Sequence, residues 1–143
     1  MKKVFLNGAI PSDMIADMIK KHSTKTDIGA HAIFLGQVRS DDVNGKKVIG
    51  IEYDAYKEMA EKEFHEIREE SFQKFPITCL HIYHSMGLVK TGEISLCVFV
   101  SSKHRKASFE ACEWIVEQIK KRVPIFAKEL FDTNDYQWKE NTP

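Results

Sequence analysis

The sequence predicts an α+β fold in two layers, with antiparallel strands in one and packed helices in the other. Three observations lead there. Period-two apolar runs are mixed with segments of helical periodicity, short turn signals suited to hairpins separate several strands, and 143 residues at 43% apolar content suffice for one core. A doubly wound parallel sheet would need a helical crossover between neighbouring strands, whereas the runs before and after Thr91-Gly92 are joined by a turn. No internal repeat, low-complexity tract or long linker divides the chain, so residues 1–143 read as a single domain.

The segment KVFLN is a short strand candidate, and PSDMIADMIKKH carries Met14, Ile15, Met18 and Ile19 at helical spacing. GAHAIFLGQVR follows as a strand. Its two faces are Ala30, Ala32, Phe34, Gly36, Val38 and His31, Ile33, Leu35, Gln37, Arg39. A polar turn at Asn44-Gly45 leads into VIGIEYDAY, expected to lie antiparallel to the strand before it. KEMAEKEFHEIREESFQKF reads as a charged amphipathic helix with Met59, Phe64, Ile67 and Phe72 inward, and Pro76 lies beyond its end. TCLHIYHSMG and EISLCVFVSS are strands either side of Thr91-Gly92. A last helix begins near His104, shows Cys112, Ile115, Ile119 and Val123 as one stripe, and is interrupted by Pro124. IFAKELF and a strand in YQWKE close the chain.

Twenty-one basic and 21 acidic residues leave no net charge. That balance excludes a general attraction to nucleic acid or anionic membrane, so a basic cluster has to act locally, on a small anion or one partner patch. No apolar run approaches a membrane span and the start lacks the pattern of a secretory signal, which makes the cytoplasm the expected location. Cys79, Cys97 and Cys112 are odd in number, form no C-x-x-C pair and sit among apolar residues. They read as buried, inert thiols. His81 and His84 have opposite strand parity, and neither they nor His31 belong to a ligand pattern, so no metal is expected. Nucleotide-loop, nucleophile-elbow and zincin motifs are missing.

In SSKHRKASFEA, Lys103, His104, Arg105 and Lys106 crowd a helix start, where the backbone itself carries partial positive charge. Cations there repel the helix end but, with its free N–H groups, make a cradle for phosphate or carboxylate. Lys120 and Lys121 lie at the other end, where they favour the dipole. From His104 to Lys120 are 16 positions, about 24 Å along a helix axis. One small substrate cannot touch both within one chain, so a shared site would need a second subunit in a two-fold arrangement. Arg39 closes an apolar strand after Gly36, which either marks a bulge or allows a close backbone approach.

Five segments in order, FLGQVR, YDAYKEMAEKE, HSMGLVKTGE, SSKHR and IKKRVPIFAKE, make the chain similar to the large, catalytic subunit of molybdopterin synthase over nearly its whole length. The resemblance implies an α/β hammerhead-type fold and a central homodimer carrying one small ubiquitin-like sulfur-carrier subunit on each protomer. The carrier's Gly-Gly tail, ending in a thiocarboxylate, would enter a pocket of this chain. The implied substrate is cyclic pyranopterin monophosphate, which receives two sulfurs to become the dithiolene of molybdopterin while its cyclic phosphate opens. The implied pocket includes Gln37, Val38 and Arg39, with His104 and Arg105 reaching it from the neighbouring subunit. Lys120 is the implied principal catalytic lysine, and Ala127, Lys128 and Glu129 complete the site. No metal or cofactor in this chain is implied. Where the family pattern reads Trp-Lys-Lys-Glu, this chain has Phe126-Ala127-Lys128-Glu129, and Ala127 replaces the family's second functional lysine. Three outcomes are open: Lys128 takes that role, Lys120 and Arg39 act alone, or the chain is impaired. Ala127 also sustains a rival reading, a non-catalytic dimeric module that binds a small anionic metabolite or a partner tail.

Overall fold

The computed structural model describes residues 3–139. In chain order these form β1 (Phe5–Asn7), α1 (Ser12–His22), β2 (Ala30–Gln37), β3 (Asp42–Val43), β4 (Lys46–Ala55), α2 (Lys57–Lys74), β5 (Ile77–Lys90), β6 (Ile94–Ser102), α3 (Arg105–Arg122), β7 (Ile125–Phe131) and β8 (Tyr136–Trp138). The strands run β2-β6-β5-β4-β7-β8; β1 pairs with β5 in parallel, β3 pairs with β4, and the remaining pairings are antiparallel. This is the expected α+β architecture of helices on an antiparallel sheet.

Two sheet regions meet on the long strand β5. Its first part pairs with β6 from Ile77 to His84, and its last part pairs with β4 from Gly87 to Lys90. Gly87 has φ of 80°, a left-handed conformation that a side chain would strain, and it marks the passage from one partner to the other.

The expectation that β4 lies beside β2 is corrected. Strand β2 pairs with β6, while β4 is bounded by β5 and β7. The Asn44-Gly45 turn does close a hairpin, but a local one with the two-residue β3. Asn44 and Gly45 both have positive φ (53° and 81°), as a type I′ turn requires. A turn signal fixes the adjacent ladder; the further partners depend on which apolar faces meet.

The main core lies between the sheet and α2 with α3. Ala32, Leu80, Ile82, Leu96, Val98 and Val100 meet Ala60, Phe64 and Ile67 of α2 and Ala111, Cys112, Ile115 and Ile119 of α3. The α3 stripe is therefore as predicted. For α2 the inward residues are Ala60, Phe64, Ile67 and Ser71, while Met59 and Phe72 are exposed. At roughly 100° per residue, Met59 and Phe72 fall on opposite flanks of that stripe, and Phe72 lies under the Arg68 guanidinium at 5.1 Å. Trp114 packs on Phe75 at the edge of this core. Arg122 ties the two helices together by ion pairs with Glu63 and Glu70, at 3.0 and 2.7 Å.

On the opposite face, α1 covers Cys97 and Phe99 with Met14, Ile15 and Met18. Ile19 is exposed; His22, one turn beyond Met18, is buried in its stead and donates or accepts at 3.0 Å with His81. His22, His31 and His81 all edge Phe99. Among the described residues no group of His, Cys, Asp and Glu is arranged to hold a metal, and no helix is long and apolar enough to cross a membrane.

Candidate functional site: a basic cavity at the sheet junction

A cavity of about 310 Å³ opens where the two sheet regions meet the C-terminal end of α3. Its apolar wall is Phe34, Leu96, Ile119, Val123 and Ile125; its polar groups are Gln37, Arg39, Tyr53, His84, Ser95, Lys120 and Lys139.

Backbone pairing holds the Gln37–Arg39 segment in place. Between Gly36 and Gln37 the register with β6 slips by one, so that Gly36 faces Leu96, Gln37 faces Ile94, and Ser95 is left over. Such a bulge re-aims the strand end. Val38 is buried, and its N–H and C=O bond to Glu93 and Gly92 of the β5–β6 turn at 3.0 and 2.8 Å. The unpaired Ser95 hydroxyl accepts a bond from Tyr53 at 3.1 Å. The bulge reading of Gly36 is realised; a Cβ there would stand 3.3 Å from the Leu96 side chain, while the Leu96 backbone nitrogen lies at an ordinary 3.9 Å.

Lys120 sits in the last turn of α3 with Lys121 and Arg122. It is accessible from the cavity, yet surrounding protein desolvates it enough to lower its ammonium pKa; Lys139 lowers it further, and Glu117 acts in the opposite sense. His84 is buried, and burial depresses it to about 4, with its Nδ1 against the Ser85 carbonyl at 2.8 Å. Neutral imidazole is thus the form beside Tyr53, whose ring centroid is 5.1 Å away. Burial raises the Tyr53 pKa. At neutral pH the cavity therefore presents cations around an uncharged floor, a setting that attracts an anion.

The structure brings Gln37, Val38, Arg39, Lys120 and Ala127 to one cavity. Arg39 is exposed at its rim and pairs with Asp41 at 3.3 Å. Lys128 is elsewhere: its ammonium lies 4.1 Å from the Tyr136 ring centroid and 5.5 Å from that of Trp138. Adjacent strand residues face opposite ways, so Lys128 points away from the face that Ala127 shares with Tyr53, its cross-strand neighbour. Glu129 returns to that face, buried, accepting a bond from Gln137 at 3.0 Å. His104 and Arg105 are exposed at the opposite end of α3 and do not line this cavity. No acidic residue occupies the first turn there.

Sequence reasoning did not find Tyr53, His84, Ser95 or Lys139. Tyr53 and His84 lay inside recognised strands, but their convergence depends on the β4–β5 pairing. Lys139 follows a three-residue strand whose partner could not be read from pattern.

A cation-rimmed hollow on an α+β hammerhead-type sheet is a setting suited to an anionic guest. The family described as MoaE protein matches residues 10–122, and the chain belongs to it. A relative from Pyrococcus abyssi, named molybdopterin synthase catalytic subunit, is 44% identical over 117 residues, 82% of this chain and 78% of that protein. The bovine relative of the same name is 42% identical over 113 residues, 79% of this chain but 59% of its own length. The crystal structure of molybdopterin synthase from Staphylococcus aureus superposes with a TM-score of 0.83 at 32% identity, covering 99% of both chains. A Helicobacter pylori structure, described as a complex of subunits 1 and 2 of molybdopterin-converting factor, shares the fold with a TM-score of 0.81 at 22% identity, covering 96% of this chain and 90% of that one.

Proposed function

We propose that this chain is the catalytic subunit of a molybdopterin synthase and moves sulfur from the C-terminal thiocarboxylate of a small ubiquitin-like carrier to cyclic pyranopterin monophosphate. The observation that carries this reading is Lys120, a lysine of lowered pKa facing a basic cavity beside Arg39. In each transfer the thiocarboxylate sulfur bonds to a side-chain carbon of the pterin as a carbon–oxygen bond there breaks, the oxygen leaving with the opened phosphate in one transfer and as water in the other. Water then cleaves the acyl–sulfur bond, leaving a carboxylate on the carrier tail and the sulfur on the pterin. Charge develops on oxygen as the tail carbonyl is attacked, and the Lys120 ammonium stabilises it or passes a proton. Lowering the lysine's pKa toward neutrality makes that proton easier to give up.

The cysteines support a sulfur source outside the chain. All three are buried; burial pushes Cys97 up to about 11 and raises Cys112, so Cys97 and Cys112 stay thiols rather than nucleophilic thiolates. The Helicobacter pylori complex of two subunits supports a protein partner. His104 and Arg105 serve the phosphate of the substrate from a second copy of the chain, since the length of α3 keeps them out of their own cavity. Cytoplasm, where free thiols persist, is the matching compartment.

A single-turnover assay tests this: chain, thiocarboxylated carrier and pterin precursor are mixed and dithiolene product is measured. Product is expected, and Lys120→Ala lowers the rate by about 100-fold or more while carrier affinity changes little. A well-folded complex that forms no product would favour the binding-module reading instead.

A further inference from the structure

We propose that Lys139 is a second functional cation of this cavity, placed across the strand pair from Ala127 so that its ammonium meets the oxyanion held beside Lys120. The inference deepens the sulfur-transfer reading and rests on it. Pairing between β7 and β8 sets Lys128 opposite Trp138, Glu129 opposite Gln137 and Leu130 opposite Tyr136. One step further along the ladder, the Lys139 N–H donates to the Ala127 carbonyl at 2.8 Å. Residues directly opposite in a ladder project from the same face with Cβ atoms about 5 Å apart. Lys139 therefore rises beside Ala127, and both line the cavity with Lys120, Tyr53 and Arg39. Alanine at 127 matters to this arrangement, since a methyl group leaves the neighbouring lysine stem room to cross it.

Further support comes from Lys120, whose proton affinity is lowered first by burial and then by the charge of Lys139. Among the described residues, groups that act on Lys120 or share its cavity include Glu117 on its own helix, His84 on β5, Tyr53 on β4 and Arg39 after β2. Burial accounts for most of the shift, Glu117 opposes it and His84 is neutral, so Lys139 is the charge that adds to the effect of burial. Two ammonium groups converging from different elements disfavour each other's charge. An oxyanion between them relieves that repulsion, whether it belongs to the carrier tail or to the pterin phosphate. The lysine position lost at 127 is thus recovered from the opposite strand, and Lys128 has no need to turn.

The test uses the carrier-bound protein in four forms: wild type, Lys139→Ala, Lys139→Arg, and Lys139→Ala with Ala127→Lys. Lys139→Ala is expected to lower the single-turnover rate about 10-fold or more, Lys139→Arg to retain most of it, and the relocated lysine to restore it to within about 3-fold. A rise in half-saturating precursor assigns the oxyanion to the pterin phosphate; a loss of carrier affinity assigns it to the tail. Direct NMR titration of the Lys120 side chain supplies a readout free of turnover: its midpoint rises in Lys139→Ala and falls again in the relocated variant. Wild-type rate in Lys139→Ala, no rescue by the relocated lysine, or an unmoved Lys120 midpoint would each overturn the proposal. If wild type itself makes no product, the sulfur-transfer reading fails, and the titration still decides whether Lys139 faces Lys120.

Discussion

Burial holds His84 neutral: its value of about 4 lies below the ordinary 6.5, first through desolvation and also through the nearby Lys120 charge, against the Ser85 carbonyl, which favours the protonated ring. This couples cavity chemistry to stability. As pH falls below 6.5 the unfolded chain takes up a proton that the folded chain refuses until about pH 4. Stability is therefore fully present above the unfolded value and declines through that window, by about 3 kcal/mol at its lower end. Urea unfolding between pH 7 and 4 reads the slope directly. His84→Gln, which keeps a donor for the Ser85 carbonyl but does not titrate, is expected to flatten it; an unchanged slope would assign acid sensitivity to the other histidines. His31, also lowered by desolvation and by His22, contributes in the same direction. The sequence announced neither effect, because a histidine's environment is made by residues distant in the chain.

Helix α3 carries the proposed functional groups at both ends, and the fold fixes each end by a different device. Its C-terminal half is anchored by Ile115 and Ile119 in the core and by Arg122 against α2. Its start is set by a close approach. A Cβ on Gly29 would stand 2.1 Å from the Lys103 carbonyl oxygen, and the Gly29 N–H bonds to Ser102 at 3.0 Å. Gly29→Ala must displace the backbone just before His104 and Arg105, and is expected to cost about 1–3 kcal/mol, seen as a lower urea midpoint. Full stability in that variant would show that this backbone yields easily. Such devices mark the limit of what a sequence shows. Alternation of apolar residues disclosed both faces of β2, and periodicity disclosed the α3 stripe, since both are local consequences of backbone repeat. The flanks of α2 misled: Met59 and Phe72 are apolar and near the stripe, yet the sheet below accepts only Ala60, Phe64, Ile67 and Ser71. The β4 neighbours were equally hidden, because pairing is decided by the meeting of faces far apart in the chain. With them went the cross-strand row Tyr53, Ala127, Lys139, and so the cavity's third wall.

At the scale of the whole molecule, the proposed use of both cationic ends of α3 at one site requires a second copy of the chain. The cavity holds Lys120 of its own chain, and His104 and Arg105 lie about 24 Å away along the same helix. Strand β2 ends the sheet with one edge unpaired among the described residues, and Ile33 and Leu35 on it are 36% and 40% exposed, which leaves surface for a second copy. If two copies exchange helix ends, each site takes Lys120 from one chain and Arg105 from the other. Lys120→Ala and Arg105→Ala dimers are then each defective at both sites. In a mixed dimer, one site inherits both defects and the other inherits neither. Equal mixing with full exchange makes half the dimers mixed, so about one quarter of all sites recover. Single-turnover amplitude after exchange is expected near that fraction of wild type, with mass spectrometry confirming the mixed species. Self-contained sites predict no recovery, because every cavity would still carry one of the two lesions; a flat amplitude in a verified mixture would overturn the shared-site arrangement, and wild-type activity in Arg105→Ala alone would place Arg105 outside the chemistry.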